Sequence, residues 1–227
     1  YSTGTTFKNC ASISNNIQSM AYGGGFVGEN DDDNGVGNST YTDCYAVNCS
    51  VAAKTEETRG TSFAGGFIGM IVSDLALTNC YAYKQTLSTE GTSASNAATG
   101  VFAAYSFTNG STYTASINTT NCYYGECAVT TNVGSATAKT SEEFTDGTVA
   151  KLLGEAFTQG KLYPVFATDP ADYTEVDAAI AKVNALNKDN YKDFSAVEAA
   201  VNAVVRGKNI TEQSEVDAMA QAIEDAI

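Results

Sequence analysis

Histidine is absent from the 227-residue chain, which excludes imidazole general bases, Ser-His-Asp and Cys-His pairs and HExxH zinc sites. Chemistry would have to come from carboxylates, lysine, tyrosine or cysteine, and three groupings of these stand out. The first is the acidic loop Glu29-Asn30-Asp31-Asp32-Asp33-Asn34-Gly35. From Asn30 it reads Asn-x-Asp-x-Asn-Gly, placing oxygen donors at Asn30, Asp32 and Asn34 and a glycine at the bend, as at the start of a calcium loop. Position twelve of that frame is Tyr41 rather than a bidentate Glu, so the loop reads as a partial calcium site or as a solvated acidic loop. Beyond calcium, no cofactor is expected.

The second grouping is a set of cysteines, Cys10, Cys44, Cys80 and Cys122, spaced by 34, 36 and 42 residues and each preceded by Asn or Asp. Disulfides would suit a secreted protein. Side chains on adjacent in-register parallel strands point the same way, however, which suits bridge geometry poorly. The favoured expectation is a buried ladder of free thiols packing as small hydrophobes. Cys49 and Cys127 follow five residues after Cys44 and Cys122, in copies two and four, too far apart to bridge each other. A Cys-x4-Cys zinc site lacks support without histidine. The third grouping is Tyr45, Tyr81 and Tyr123, each directly after one of these cysteines. If the thiols face inward, alternation turns the tyrosines to the opposite face. Their flat rings could stack on glycan rings, or they form an aromatic ladder that stiffens a sheet or lies under a loop.

A repeat must position these residues. Gly24-Gly25-Phe26-Val27-Gly28 recurs as Gly65-Gly66-Phe67-Ile68-Gly69 and, worn, as Gly100-Val101-Phe102, with the phenylalanines 41 and 35 residues apart. These phrases alternate with Asn9-Cys10-Ala11, Asp43-Cys44-Tyr45-Ala46, Asn79-Cys80-Tyr81-Ala82 and Asn121-Cys122-Tyr123. Such a period marks a stack of structural repeats. Each copy reads as two short strands, because Phe, Val, Ile, Tyr and Thr favour extended chain while Gly, Asn and Asp punctuate it. The expected fold is mainly β, an N-terminal parallel β-solenoid (β-helix-like) with like residues stacked at ~4.8 Å. Asn9, Asp43, Asn79 and Asn121 would then form a second ladder at a left-handed corner.

The alternation resembles the GLUG motif over roughly residues 5 to 130, in which a Gly-Gly-Leu/Phe-Val-Gly strand alternates with an Asn-Ser/Cys-Tyr-Ala strand. Such repeats occur in large surface-exposed bacterial proteins, often adhesin-like, so the resemblance implies a surface protein without naming its ligand.

Composition changes near residue 171, from Gly, Ser, Thr, Asn and Tyr to Ala, Val, Glu, Asp and Lys. The expected domains are repeats over 1–135, a cap and linker over 136–171, and helices over 172–227. With 12 basic and 26 acidic residues the net charge is −14, divided as −8 up to residue 171 and −6 beyond it. That field repels phosphate backbones and anionic lipid, so nucleic acid is not an expected partner. There is no apolar run of 18 residues, and hence no expected membrane insertion, and no signal peptide. Because the chain begins inside a repeat at Tyr1, it is expected to be a monomeric fragment of a larger surface protein.

Between repeats and helices, Ser141-Glu142-Glu143-Phe144 through Leu152-Leu153-Gly154 predicts a short helix, followed by Phe157, Gly160 and Leu162-Tyr163-Pro164-Val165-Phe166. A stack needs an atypical end to hide its last apolar edge, and this segment reads as that cap. It also resembles the Leu-Gly…Gly-x-x-Tyr-Pro-Val segment that closes GLUG arrays. Ala167-Thr168-Asp169-Pro170 reads as a linker.

Apolar spacing then predicts a small C-terminal all-α three-helix bundle. The faces are Val176, Ala179, Ile180, Val183 and Leu186; Phe194, Val197, Val201, Val204 and Val205; and Val216, Met219, Ala220, Ile223 and Ile227. Thr174 to Asp177, Ser195 to Glu198 and Ser214 to Asp217 have capping-box spacing, with Thr211 competing as the third cap. Gly207 is the expected stop after the second helix. The segment is similar to the FIVAR-type modules of Gram-positive surface proteins, which implies fold and context only.

The expected function is a non-enzymatic bacterial cell-surface module, secreted or attached to a Gram-positive cell wall. It would be an adhesin-like stalk or ligand-binding segment whose partner is a host or microbial surface glycan or a matrix protein. The alternative is a polysaccharide-active β-helix enzyme using carboxylates as acid and base. Its candidates upstream of the cap are Asp31 to Asp33, Asp43 and Asp74, but they share no strand position, and Lys8, Lys54, Arg59 and Lys84 form no obvious substrate clamp.

Overall fold

The structure is a computed structural model that describes residues 4–31, 38–55, 60–90, 97–109, 113–127, 129, 131 and 133–227. Two compact units result, Tyr1–Pro164 and Val165–Ile227.

In the first unit, backbone corners decide where strands begin and end. Asn9, Asp43, Asn79 and Asn121 all adopt left-handed φ between 51° and 54°, a conformation that Asn and Asp tolerate better than most residues. This confirms the expected stacked corner. A second left-handed set, Ser14, Asn48, Lys84 and Glu126, follows each Cys-containing strand. There the chain stacks copy on copy through Ser14 N to Val47 O at 2.8 Å, Asn48 N to Tyr83 O at 3.1 Å and Lys84 N to Gly125 O at 3.1 Å. The Gly-Gly phrase makes a third bend so tight that a Cβ at Gly65 would lie 1.7 Å from Ile68 O. Beyond that bend Phe26, Phe67 and Phe102 stack at 4.8 and 5.1 Å.

Equivalent strands pair in parallel. Thr6–Ile13 lies on Ser39–Val47 with Cys10 opposite Cys44. Tyr81–Tyr83 pairs with Ser39–Val47 and with Tyr123–Gly125, so Tyr45, Tyr81 and Tyr123 share one register. The expectation of a parallel β-solenoid with an appended three-helix bundle is nonetheless corrected. The strands do not form a single solenoid. They fall into one seven-stranded sheet, three three-stranded sheets and two two-stranded pairs. Most strands hold only two to five residues, because the left-handed corners and glycine bends cut each copy into short pieces.

The segment after the repeats folds onto a face of the large sheet. Helix α1 (Ser141–Thr145) is fixed by a capping box between Thr140 and Glu143, and α2 (Thr148–Leu153) follows it. Phe144, Val149, Leu153 and Phe157 are buried. Phe144 and Phe157 pack on the tyrosine face of the large sheet, so the Cys-bearing strand Ser39–Val47 is almost wholly buried on both faces.

The second unit has its own core of Val176, Ala179, Val183, Val197, Val216, Ala220 and Ile223. It is not three matched bundle helices. Helix α3 (Thr174–Ala185) has 12 residues, α4 (Ser195–Asn202) has 8 and α5 (Gln213–Ala226) has 14, with single 3-10 turns at Lys188–Asn190 and Ile210–Glu212. Val204 and Val205, expected on the second helix, lie beyond its end, and Gly207, the expected stop, comes five residues after Asn202. The anticipated linker is also part of this unit. Pro170 bridges to Asn209, Ala171 N donates to Lys208 O at 3.0 Å, and Ile210 N donates to Asp169 O at 2.9 Å.

Candidate functional site

Asp32 and Asn34, two of the three proposed calcium donors, lie outside the described residues. Asn30, the third, ends strand Val27–Asn30 and is fully buried. Its Nδ2 donates to Ser73 O at 2.9 Å, its Oδ1 accepts from the Tyr41 hydroxyl at 3.3 Å, and its backbone carbonyl accepts from Val72 N at 2.8 Å. Asn30 therefore acts as an internal fastener between successive copies, its side-chain oxygen turned toward Tyr41. Among the described residues, no three His, Cys, Asp or Glu side chains gather where a metal could sit.

The tyrosine row is where alternation places it, opposite the thiols, and it is covered. Tyr45, Tyr81 and Tyr123 are 2%, 0% and 8% exposed. Tyr45 and Tyr81 stack at 5.0 Å with rings 4° from parallel, and Phe157 meets both rings edge-on at 6.1 and 6.0 Å. The Tyr81 hydroxyl donates to Pro164 O. A sugar could reach these faces only if residues 144–164 lifted away, so in this arrangement the rings serve as core.

The cysteine and Asn/Asp phrases form two side-by-side columns. Asn121 Nδ2 donates to Asn79 Oδ1 at 3.1 Å, and Asn79 Nδ2 donates to Asp43 Oδ1 at 2.9 Å. Asp43 is only 6% exposed, so a carboxylate accepts at the foot of an amide ladder. Next to it each thiol donates to the carbonyl two residues earlier: Cys10 to Lys8 O and Cys44 to Thr42 O at 3.2 Å, Cys80 to Thr78 O at 3.3 Å, Cys122 to Thr120 O at 3.4 Å. Cys80 also touches the thiols of Cys44 and Cys122, and burial pushes its thiol well above the usual range. All six cysteines are unbridged. Cys49 and Cys127, unexplained by the main repeat, follow the second left-handed corner, with Gln85 at the equivalent position between them. Gln85 Nε2 donates to Ala46 O at 2.8 Å and Tyr83 O at 3.0 Å.

Sequence reasoning missed a polar cluster at the junction. The Tyr83 hydroxyl donates to Glu126 Oε1 at 2.9 Å, Lys84 Nζ lies 3.5 Å from Glu126 Oε2, and the Tyr83 ring stacks on Phe144 at 4.1 Å. Burial, reinforced by the Glu126 carboxylate, pushes Tyr83 up to about 12. A hydrogen bond from Ser141, aided by Tyr83 and Lys84, holds Glu126 below the usual carboxylate range. No residue type signals it, because Ser14, Asn48, Lys84 and Glu126 share a left-handed backbone and not a side chain. Of the carboxylates considered for glycan cleavage, Asp74 Oδ1 accepts from Ser116 N at 2.7 Å and Asp43 is held by Asn79. In the second unit a groove of about 330 Å³ is lined by residues including Leu186, Phe194 and Val201, with the Lys188–Glu198 ion pair (2.6 Å) at its rim. No helix among the described residues is long and apolar enough to cross a membrane. Comparison with protein-family models, with curated proteins and with solved structures found no match.

Proposed function

We propose that the chain is a non-enzymatic segment of a bacterial surface protein, an adhesin-like stalk that displays or spaces binding elements. The observation that carries this reading is how the repeated polar and aromatic residues are used. Asn30, Asp43, Asn79 and Gln85 fasten one copy to the next, and Tyr45 and Tyr81 fill a core layer. A sequence that repeats its interior rather than a set of exposed reactive groups is suited to extending a structure by one copy at a time. The alternating GLUG-like phrases support the surface context, and the FIVAR-like segment supports a spacer role for residues 172–227. A glycan or matrix protein remains the proposed class of partner, recognised by surfaces other than the tyrosine row.

The test pairs a glycan and matrix-protein array with a reducing-sugar release assay on the same polysaccharides. The stalk reading expects no sugar release, and expects any retention on the array to survive Asp74→Asn. Release of reducing ends that is abolished by Asp74→Asn would overturn it in favour of the carboxylate enzyme.

A further inference from the structure

The two ends of the repeat stack are built differently. At one end residues 131–139 lie along the last strands: Val101 N donates to Thr131 O at 2.9 Å, Val133 N to Ala103 O at 3.0 Å, and Thr137 N and Lys139 N to Cys122 O and Tyr124 O at 2.8 Å. At the other end Asn16–Met20, Tyr22–Gly24 and Val27–Asn30 are each the terminal strand of a three-stranded sheet, and Thr6–Ile13 lies on Ser39–Val47. Among the described residues no strand pairs with the outer side of Thr6–Ile13 or Asn16–Met20. Proteins protect such edges with charge, proline or a covering segment. These four strands contain no proline, and Lys8 and Glu29 are their only charged residues, in a chain of net charge −14. Met20, at 64% the most exposed large apolar side chain described, stands on this edge, as does Ile13 at 43%.

Asn16–Met20 is the part of the edge able to take a partner strand. Thr6–Ile13 is interrupted by the left-handed corner at Asn9, whereas Asn16–Met20 runs unbroken between the left-handed residues Ser14 and Ala21. Ser50 N donates to Asn15 O and Ala21 N donates to Lys54 O, both at 2.9 Å. In a parallel ladder alternate residues bond to the same neighbour. Asn15, Ile17, Ser19 and Ala21 therefore bond toward Ser50–Lys54, and the N–H and C=O groups of Asn16, Gln18 and Met20 point outward.

We propose that Asn16–Met20 docks antiparallel on Asn16–Met20 of a second copy of the chain, closing a twofold dimer about Gln18. In that register Gln18 opposes its twin and Asn16 opposes Met20, so each pair exchanges both of its outward hydrogen bonds. No like charges oppose one another, and Met20 leaves solvent. The register of the parallel stack would continue if the far end of one copy seated on this edge of the next, but residues 131–139 already occupy that end. The contact is therefore isologous and stops at two copies rather than growing head to tail. One short strand a side falls below the ~20–30 residues of a standard interface, so the dissociation constant is expected in the micromolar range. Because the contact is uncharged and the copies repel through their net charge, added salt should tighten it.

Sedimentation velocity of the full chain across the micromolar range, at low and high salt, tests this. A monomer–dimer equilibrium is expected, with more dimer at high salt. Gln18→Pro removes an outward N–H while leaving the ladder to Ser50–Lys54 intact, so it should abolish the dimer with the thermal midpoint little changed. Met20→Glu should do the same by placing charge on the edge, and it decides alone if Gln18→Pro does not fold. Leu162→Glu, at an exposed apolar residue elsewhere, should leave the dimer intact. A monomer at every concentration, a dimer that survives both edge variants, species larger than two, or a dimer weakened by salt would each overturn the proposal.

Discussion

Asn79 shows how much one residue carries in a repeat built on corners. It holds φ at 53°, donates to Asp43 at 2.9 Å and accepts from Asn121 at 3.1 Å. Asn79→Ala removes both hydrogen bonds, at about 1 kcal/mol each, and forces a Cβ-bearing residue without a local acceptor into the left-handed region, at about 1 kcal/mol more. Urea denaturation should show a loss of ~2–4 kcal/mol. Asn79→Gly keeps the corner and should lose only the hydrogen-bond part. Tyr83 sets a different dependence. Its folded pKa of about 12 exceeds that of an exposed phenol, so the folded state holds the proton after the unfolded chain has released it. That stability is complete below about pH 10 and is lost as pH rises toward 12, by roughly 2–3 kcal/mol. Tyr83→Phe should flatten the alkaline fall when unfolding is followed between pH 9 and 12.

Helix starts show what the sequence hid at the scale of elements. The capping-box spacings pointed to Thr174, Ser195 and Ser214. Instead Asp172 Oδ1 accepts from Thr174 N at 2.9 Å, Asp193 Oδ1 accepts from Ser195 N at 2.8 Å, and Asn209 Oδ1 accepts from Thr211 N at 2.9 Å. One phrase, Asx-x-Ser/Thr, opens all three helical segments, and the hydroxyl residue receives rather than gives the cap. Hydrogen bonds from Ser195 hold Asp193 below its usual range. Asp193→Ala should therefore lower the thermal midpoint of the helical unit, while Ser214→Ala, inside α5 and exposed, should leave it nearly unchanged. Thermal melts of the two variants check both. The repeat was legible because Asn-Cys and Gly-Gly-Phe keep their residue types wherever a column must be self-complementary. The second corner was not, because Ser14, Asn48, Lys84 and Glu126 share only a backbone conformation. Parity of the tyrosines was readable from alternation. Their burial was one of the readings that alternation left open, and what decides it is residues 144–164 folding back over that face.

For the whole molecule, the informative division is between two cores of different construction. The first unit is held by columns running across successive copies, such as Phe26, Phe67 and Phe102. The second is held by three unequal helices around Val176 and Ile223. Contacts that recur copy on copy make the first unit a chain of nearest-neighbour interfaces, so a defect in the middle should weaken every copy that depends on it. The helical core is small, with its own hydrogen-bonded closure at Pro170 and Asn209. Calorimetry is accordingly expected to resolve two transitions. Phe67→Ala deletes the fully buried central ring of the stack and should lower one transition by ~3–5 kcal/mol. Ile223→Ala, also fully buried, should lower the other by ~2–5 kcal/mol. A single cooperative transition moved equally by both substitutions would show that the two cores fold as one. The stalk role proposed above, in which copies are added without renegotiating the helical segment, requires the opposite result.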